Sequence, residues 1–85
     1  MTQADRQVVR KRFGDAVRHR RRQLGLTQEG LAGRAQLHRT YVADVERGNR
    51  NPSLESMTRI AAALDLELSA LLELAEAGPA AQGVG

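Results

Sequence analysis

No cysteine occurs in this chain, so disulfides, thiolate metal sites and cysteine nucleophiles are all excluded. Aromatic residues are scarce: Phe13 and Tyr41 make up 2% of the sequence, too few for a stacking platform that grips single-stranded nucleic acid. The longest apolar run is four or five residues, far short of a membrane span. Met1 is followed by polar residues and no apolar segment, which argues against a secretory signal. A cytoplasmic chain is expected. His19 and His38 have no third ligand near them in the sequence, so neither a metal nor another cofactor is expected. Glu46 has no partner carboxylate at a fixed offset and no nucleophile to serve, so enzymatic activity is not expected either. The 85 residues amount to one domain, near the small end of what one hydrophobic core supports.

The charges that are present are unevenly placed. Residues 1–50 carry 12 basic and 5 acidic groups, a local charge of +7. Residues 51–85 carry Arg59 against Glu55, Asp65, Glu67, Glu73 and Glu76, a local charge of −4. One half should attract polyanions and the other repel them. Twelve of the 13 basic residues are arginine, which suits bidentate contact with phosphate and guanine, although a GC-rich genome would produce the same bias.

The chain reads as helices separated by short turns, without strand-like alternation. A first helix is expected from about Gln7 to Leu24, with Val9, Phe13, Val17 and Leu24 on one stripe and the Arg20 stem filling its gap. Gly25 ends it. Thr27 caps a second helix that buries Leu31, Ala32 and Ala35, and Gly30 and Gly33 each weaken that helix by roughly 1 kcal/mol relative to Ala. After Gln36-Leu37 a third helix spans about Arg39 to Arg47, closed by Gly48, with Val42 and Val45 inward. Its other side gathers Arg39, Thr40, Ala43, Asp44 and Arg47 within an arc of about 140°. A turn over 48–52 precedes a fourth helix, capped by Ser53 and burying Leu54, Met57, Ile60, Ala61 and Leu64. A fifth, about Ser69 to Ala77, carries Leu71, Leu72 and Leu74 and stops at Gly78-Pro79.

Two short helices joined by about three residues, the second with an apolar and a polar edge, form a helix-turn-helix unit. Such a second helix fits the major groove of B-DNA, with residues near its N-terminus reaching base edges. Arg39 then offers bidentate donors to guanine, Thr40 a hydrogen bond or a methyl contact, and Ala43 a methyl contact. Asp44 either accepts from cytosine or pairs with Arg47 one turn on. The N-terminus of the second helix points its free amides and the Gln28 side chain outward, towards a phosphate. Arg47, Asn49, Arg50 and Asn51 offer further donors to the backbone. Tyr41 either packs with its hydroxyl outward or bonds a phosphate. The run Arg20-Arg21-Arg22 is a phosphate grip or a solvated face in which Arg21 is structurally paired.

Thr27-Gln28-Glu29, Leu31-Ala32, Val45-Glu46-Arg47-Gly48, Pro52-Ser53-Leu54 and Ile60-Ala61-Ala62-Ala63-Leu64 together resemble the Cro/CI-type (XRE) family of bacterial helix-turn-helix regulators, over about residues 13–74. Leu37-His38-Arg39-Thr40-Tyr41-Val42 and Glu46-Arg47-Gly48-Asn49-Arg50-Asn51 are similar to the controller proteins of restriction–modification systems. The resemblance implies an all-α, five-helix lambda-repressor-like domain that binds double-stranded DNA as a homodimer. It implies base readout by Arg39 and Thr40, reinforced by Arg50. Gln28, Tyr41, Asn49 and Asn51 would lie near phosphates. It further implies an ion pair of Arg21 with Glu46. The chain departs from the pattern at Gln36, where a turn glycine is usual, at Ala43, where serine is common, and at His38, an unusual N-cap.

Leu66, Leu68, Leu71, Leu72 and Leu74 exceed what so small a core needs, and the surplus should form an interface, with Leu68, Leu71, Leu72 and Leu74 the expected contacts of a twofold dimer. Its two third helices would lie about 34–36 Å apart, one turn of DNA, on a pseudo-palindromic operator. The expected organisation is a partly helical N-terminal extension at 1–12, a DNA-binding and dimerisation domain at 13–77 and a flexible tail at 78–85. The expected function is a sequence-specific regulator, associated with the nucleoid when bound, that controls its own gene within a restriction–modification system. The alternatives are a general XRE repressor or antitoxin, or a protein-interaction adaptor on the same fold. An adaptor would need apolar residues on the polar arc of the third helix.

Overall fold

Five helices form in the computed structural model, which describes residues 1–78: α1 Gln3–Gln23, α2 Gln28–Ala35, α3 Arg39–Arg47, α4 Leu54–Ala63 and α5 Leu68–Ala77. The tail expected at 78–85 lies outside the described residues except for Gly78. Thr27 and Ser53 cap α2 and α4, each hydroxyl accepting from the backbone N–H three residues on. At the end of α1, Gly25 takes φ 70° while its N–H and that of Leu26 donate to Arg22 and Arg21, a Schellman closure. His38 makes no capping hydrogen bond.

The first helix starts four residues before the expected Gln7. Thr2 and Asp5 form a capping box: the Asp5 N–H donates to the Thr2 hydroxyl, and the Thr2 N–H donates to the Asp5 carboxylate at 3.0 Å. Donation from the Thr2 N–H, and then from the Thr2 hydroxyl to the same carboxylate oxygen at 2.9 Å, holds the Asp5 carboxyl below the ordinary carboxylate range. Residues 3–12 are therefore continuous with α1, and the extension is wholly helical from Gln3.

α1 packs against α3 and α5, α2 against α3 and α4, and α4 against α5. Each helix contributes to one core: Phe13, Ala16 and Val17; Leu31, Ala32 and Ala35; Val42 and Val45; Ile60, Ala61, Ala63 and Leu64; Leu71 and Ala75. Leu31, Ile60, Leu64 and Leu71 are fully buried, each contributing about 1.5–3 kcal/mol through area removed from water. Three expected core or interface residues are corrected. Val9 is 54% exposed, at an open groove that it lines with Met57 and Leu72, and Leu54 is 67% exposed at the first position of α4. Leu71 is fully buried within the chain and is not available to a partner. Leu66, in the connection before α5, and Leu68, Leu72 and Leu74 on it are not left bare either: all are half-buried against the core, with α5 covered on two sides by α1 and α4.

Side chains from other helices complete the C-terminus of α4, which has no basic residue of its own in the last turn. Arg20 donates to the Leu64 carbonyl at 3.0 Å, and Arg34 to that of Ala63 at 3.4 Å.

The turn between α2 and α3 runs through Gln36 in the left-handed region, at φ 58° and ψ 45°. A side chain there costs about 1–2 kcal/mol, whereas glycine adopts the conformation freely. Gln36→Gly should therefore raise stability by about 1 kcal/mol once its looser unfolded chain is discounted, or about 4–8 °C in thermal midpoint. A lowered midpoint in a thermal melt would show that the Gln36 side chain contributes more than its backbone costs.

Candidate nucleic-acid interface

The polar edge of α3 is held in place from beneath by a buried ion pair. Arg21 donates to Glu46 through two nitrogens, Nε to Oε2 at 2.6 Å and Nη2 to Oε1 at 2.9 Å. Its third nitrogen donates to the Leu26 carbonyl at 2.8 Å, so the pair also ties down the loop entering α2. Glu46 is 2% exposed and Arg21 8% exposed. This fork geometry is specific to arginine and fixes the rotation of α3 relative to α1.

The Gln28 side chain joins the same cluster. Its amide Nε2 donates to Glu46 Oε1 at 3.1 Å, half-buried, so the expectation that it points outward to a phosphate is corrected. Glu46 lies on the inner side of α3 close to the α2 N-terminus, and a buried carboxylate oxygen draws in the nearest donor. The α2 N-terminus still opens outward. Arg39 lines an open recess of about 410 Å³ there with Arg21, Thr27, Gln28 and Glu29.

Of the residues assigned to base readout, Arg39 and Thr40 are exposed at the start of α3, while Ala43 and Asp44 are half-buried further along the same side. Asp44 is an internal partner. One carboxylate oxygen accepts from Arg47 and the other lies 3.6 Å from Arg50. Tyr41 is half-buried against the core, and the Arg50 guanidinium sits 4.7 Å over its ring. Arg47, Asn49, Arg50 and Asn51 are all exposed around the α3–α4 turn. The structure thus brings Asp44, Arg47, Arg50 and Tyr41 into one cluster, and Arg39 and Thr40 take no part in its ion pairs or its stacking.

This geometry, two helices in tight succession with the second presenting a polar edge, has a counterpart among known families. The helix-turn-helix profile matches residues 17–71. The chain belongs to the helix-turn-helix family. Within this family it is 41% identical over 71 residues to control protein C.BamHI of Bacillus amyloliquefaciens, covering 82% of this chain and 88% of that protein. Among solved structures, it is similar to the restriction-modification controller protein C.AhdI from Aeromonas hydrophila, with a TM-score of 0.72 and 45% identity over 73% of this chain and 94% of that one. The clp gene regulator ClgR from Corynebacterium glutamicum is similar with a TM-score of 0.78 and 28% identity, over 81% of this chain and 73% of that one.

As a helix-turn-helix protein, the chain relies on one residue that its sequence pattern did not single out. Gly14 is buried where α1 crosses the end of α3, and a Cβ built there would meet the Val45 carbonyl oxygen and stand 2.6 Å from that of Glu46. A glycine in the interior of a helix was the available signal. No helix among the described residues is long and apolar enough to cross a membrane.

Proposed function

We propose that this helix-turn-helix protein is an autoregulatory controller of a restriction–modification system, acting as a homodimer on a pseudo-palindromic operator. The broader statement, that it is a DNA-binding transcriptional regulator, follows from its family. The observation that carries the finer reading is the likeness to two controller proteins over most of their lengths, and base readout is supported by the exposure of Arg39 and Thr40 at the start of α3, which the Arg21–Glu46 pair holds in place. Arg39 would read guanine and Thr40 a neighbouring base. Arg50, stacked on Tyr41, would reach the backbone or an adjacent base, with Arg47, Asn49 and Asn51 on phosphates. Asp44 is better used holding Arg47 and Arg50 than accepting from cytosine. Dimerisation would use the half-buried Leu68, Leu72 and Leu74 along α5. The mechanism is occupancy: a bound dimer blocks or recruits polymerase.

The likeness to a clp gene regulator favours a second reading, a general regulator of other genes. A footprinting titration on DNA upstream of the protein's own gene separates the two. Two protected half-sites one helical turn apart would support the autoregulatory dimer. Protection at other loci alone would favour the general regulator, and failure to bind any duplex would favour an adaptor role. On the protected site, Arg39→Ala should lose about 1–3 kcal/mol of binding while changing little on random DNA. Equal losses on both would assign Arg39 to the backbone.

A further inference from the structure

The first half of α1 lies before residue 17, where the family match begins, yet it is one rigid helix with the rest and runs past the end of α3. Gly48 makes that approach close. It leaves α3 at φ 78°, and a Cβ there would stand 3.1 Å from the Lys11 Cα. Arg10 Nε donates to the Gly48 carbonyl oxygen at 3.4 Å across the same contact. The result is an open, mostly polar cleft of about 400 Å³, with Gln7, Arg10 and Lys11 on one wall and Arg47, Gly48 and Asn49 on the other.

The cleft is cationic on both sides. Its nearby acids are already engaged: Asp15 holds Lys11 at 2.8 Å and Arg18 at 3.2 Å, and Asp44 holds Arg47 and Arg50. Lys11 is half exposed, and a surface pair of this kind is weak enough to exchange for a phosphate.

We propose that this cleft takes a backbone phosphate of the duplex engaged by α3, so that α1 lengthens the contact beyond the helix-turn-helix itself. The inference rests on the DNA-binding reading above. Charge complementarity and continuity identify the occupant, because Arg47 and Asn49, which form the second wall, belong to the turn assigned to phosphates. Lys11 supplies an ammonium donor and Gln7 an amide donor from the first wall.

Arg12, the next residue along, is absent from the cleft and lines an adjoining, mostly apolar groove with Val9, Phe13, Met57 and Leu72, the two sharing Arg10, and provides the control. Lys11→Gln and Arg12→Gln remove the same charge from adjacent positions. Binding of each to a random-sequence duplex of about 30 base pairs would be followed by fluorescence anisotropy across a salt series. Lys11→Gln should flatten the slope of log affinity against log salt by about 0.9, or roughly eightfold weaker binding at 0.1 M if the lines meet at 1 M. Arg12→Gln should leave the slope unchanged. Equal changes in both variants, or none in Lys11→Gln, would overturn the cleft proposal while leaving the α3 reading intact. Absence of salt-dependent binding by the parent protein would remove both. Should Lys11→Gln lose its helical circular dichroism, Gln7→Glu leaves the Lys11–Asp15 pair in place and should weaken binding by charge repulsion; unchanged affinity in that variant would likewise overturn the proposal.

Discussion

Replacing Glu46 with alanine should cost about 3–5 kcal/mol of folding stability, most of what a chain of this length possesses. The loss comes chiefly from what is left behind. Arg21, 8% exposed, would keep its charge with two donors unanswered, and the Gln28 amide would lose its acceptor. Unpartnered buried charge is far more costly than the net value of the pair that satisfied it. Combining Arg21→Met with Glu46→Leu should therefore recover most of the stability, because two apolar side chains of similar volume leave no buried charge, and only the half-buried Gln28 amide and Leu26 carbonyl lose a partner. Urea unfolding of both variants measures the difference. A loss below about 1 kcal/mol in Glu46→Ala would mean that water reaches Arg21 freely, contrary to its burial.

Gly14→Ala should destabilise by about 3 kcal/mol or more, although alanine is the better helix former by about 1 kcal/mol. The sign is decided by what the new methyl meets. Its neighbours would be backbone atoms of Val45 and Glu46, the Glu46 carbonyl carbon at 2.9 Å among them, and backbone cannot rotate aside as a side chain can. α1 and α3 would have to separate, loosening the Arg21–Glu46 pair farther along the same contact. Gly33→Ala is the matched comparison: Gly33 is exposed within α2, with nothing within 4 Å of the added atom, so that substitution should stabilise by up to about 1 kcal/mol. Denaturation midpoints that move in the same direction for both would refute the close-packed reading of Gly14.

Local physics made much of this molecule legible. Thr27 and Ser53 announce α2 and α4 because a cap needs only a hydroxyl and the amide three residues on. Gly25 and Gly48 close α1 and α3 for a similarly local reason, their left-handed φ. The buried residues of α2 follow from helical periodicity alone. The true start of α1 was equally local, since Thr2 and Asp5 stand at the spacing of a capping box, but with aspartate in place of the usual glutamate or glutamine.

The outward arc of α3 was also there in the order of residues, for a rotation of about 100° per residue places Arg39, Thr40 and Arg47 opposite Val42 and Val45 wherever the helix sits. Which polar group faces which partner is different. Gln28 turns inward because Glu46, 18 residues later, lies beside it, and Asp44, whose pair with Arg47 is local to α3, gains Arg50 as well because the chain turns after Gly48. Gly14 is indispensable only because α3 crosses at that point, and Leu71 is sealed in, with Leu72 and Leu74 half-covered, only because α1 and α4 both reach α5. Periods and caps are properties of neighbours in sequence, so one dimension contains them. Burial, pairing and close approach depend on how helices distant in the chain cross, and those crossings exist only once the chain has folded.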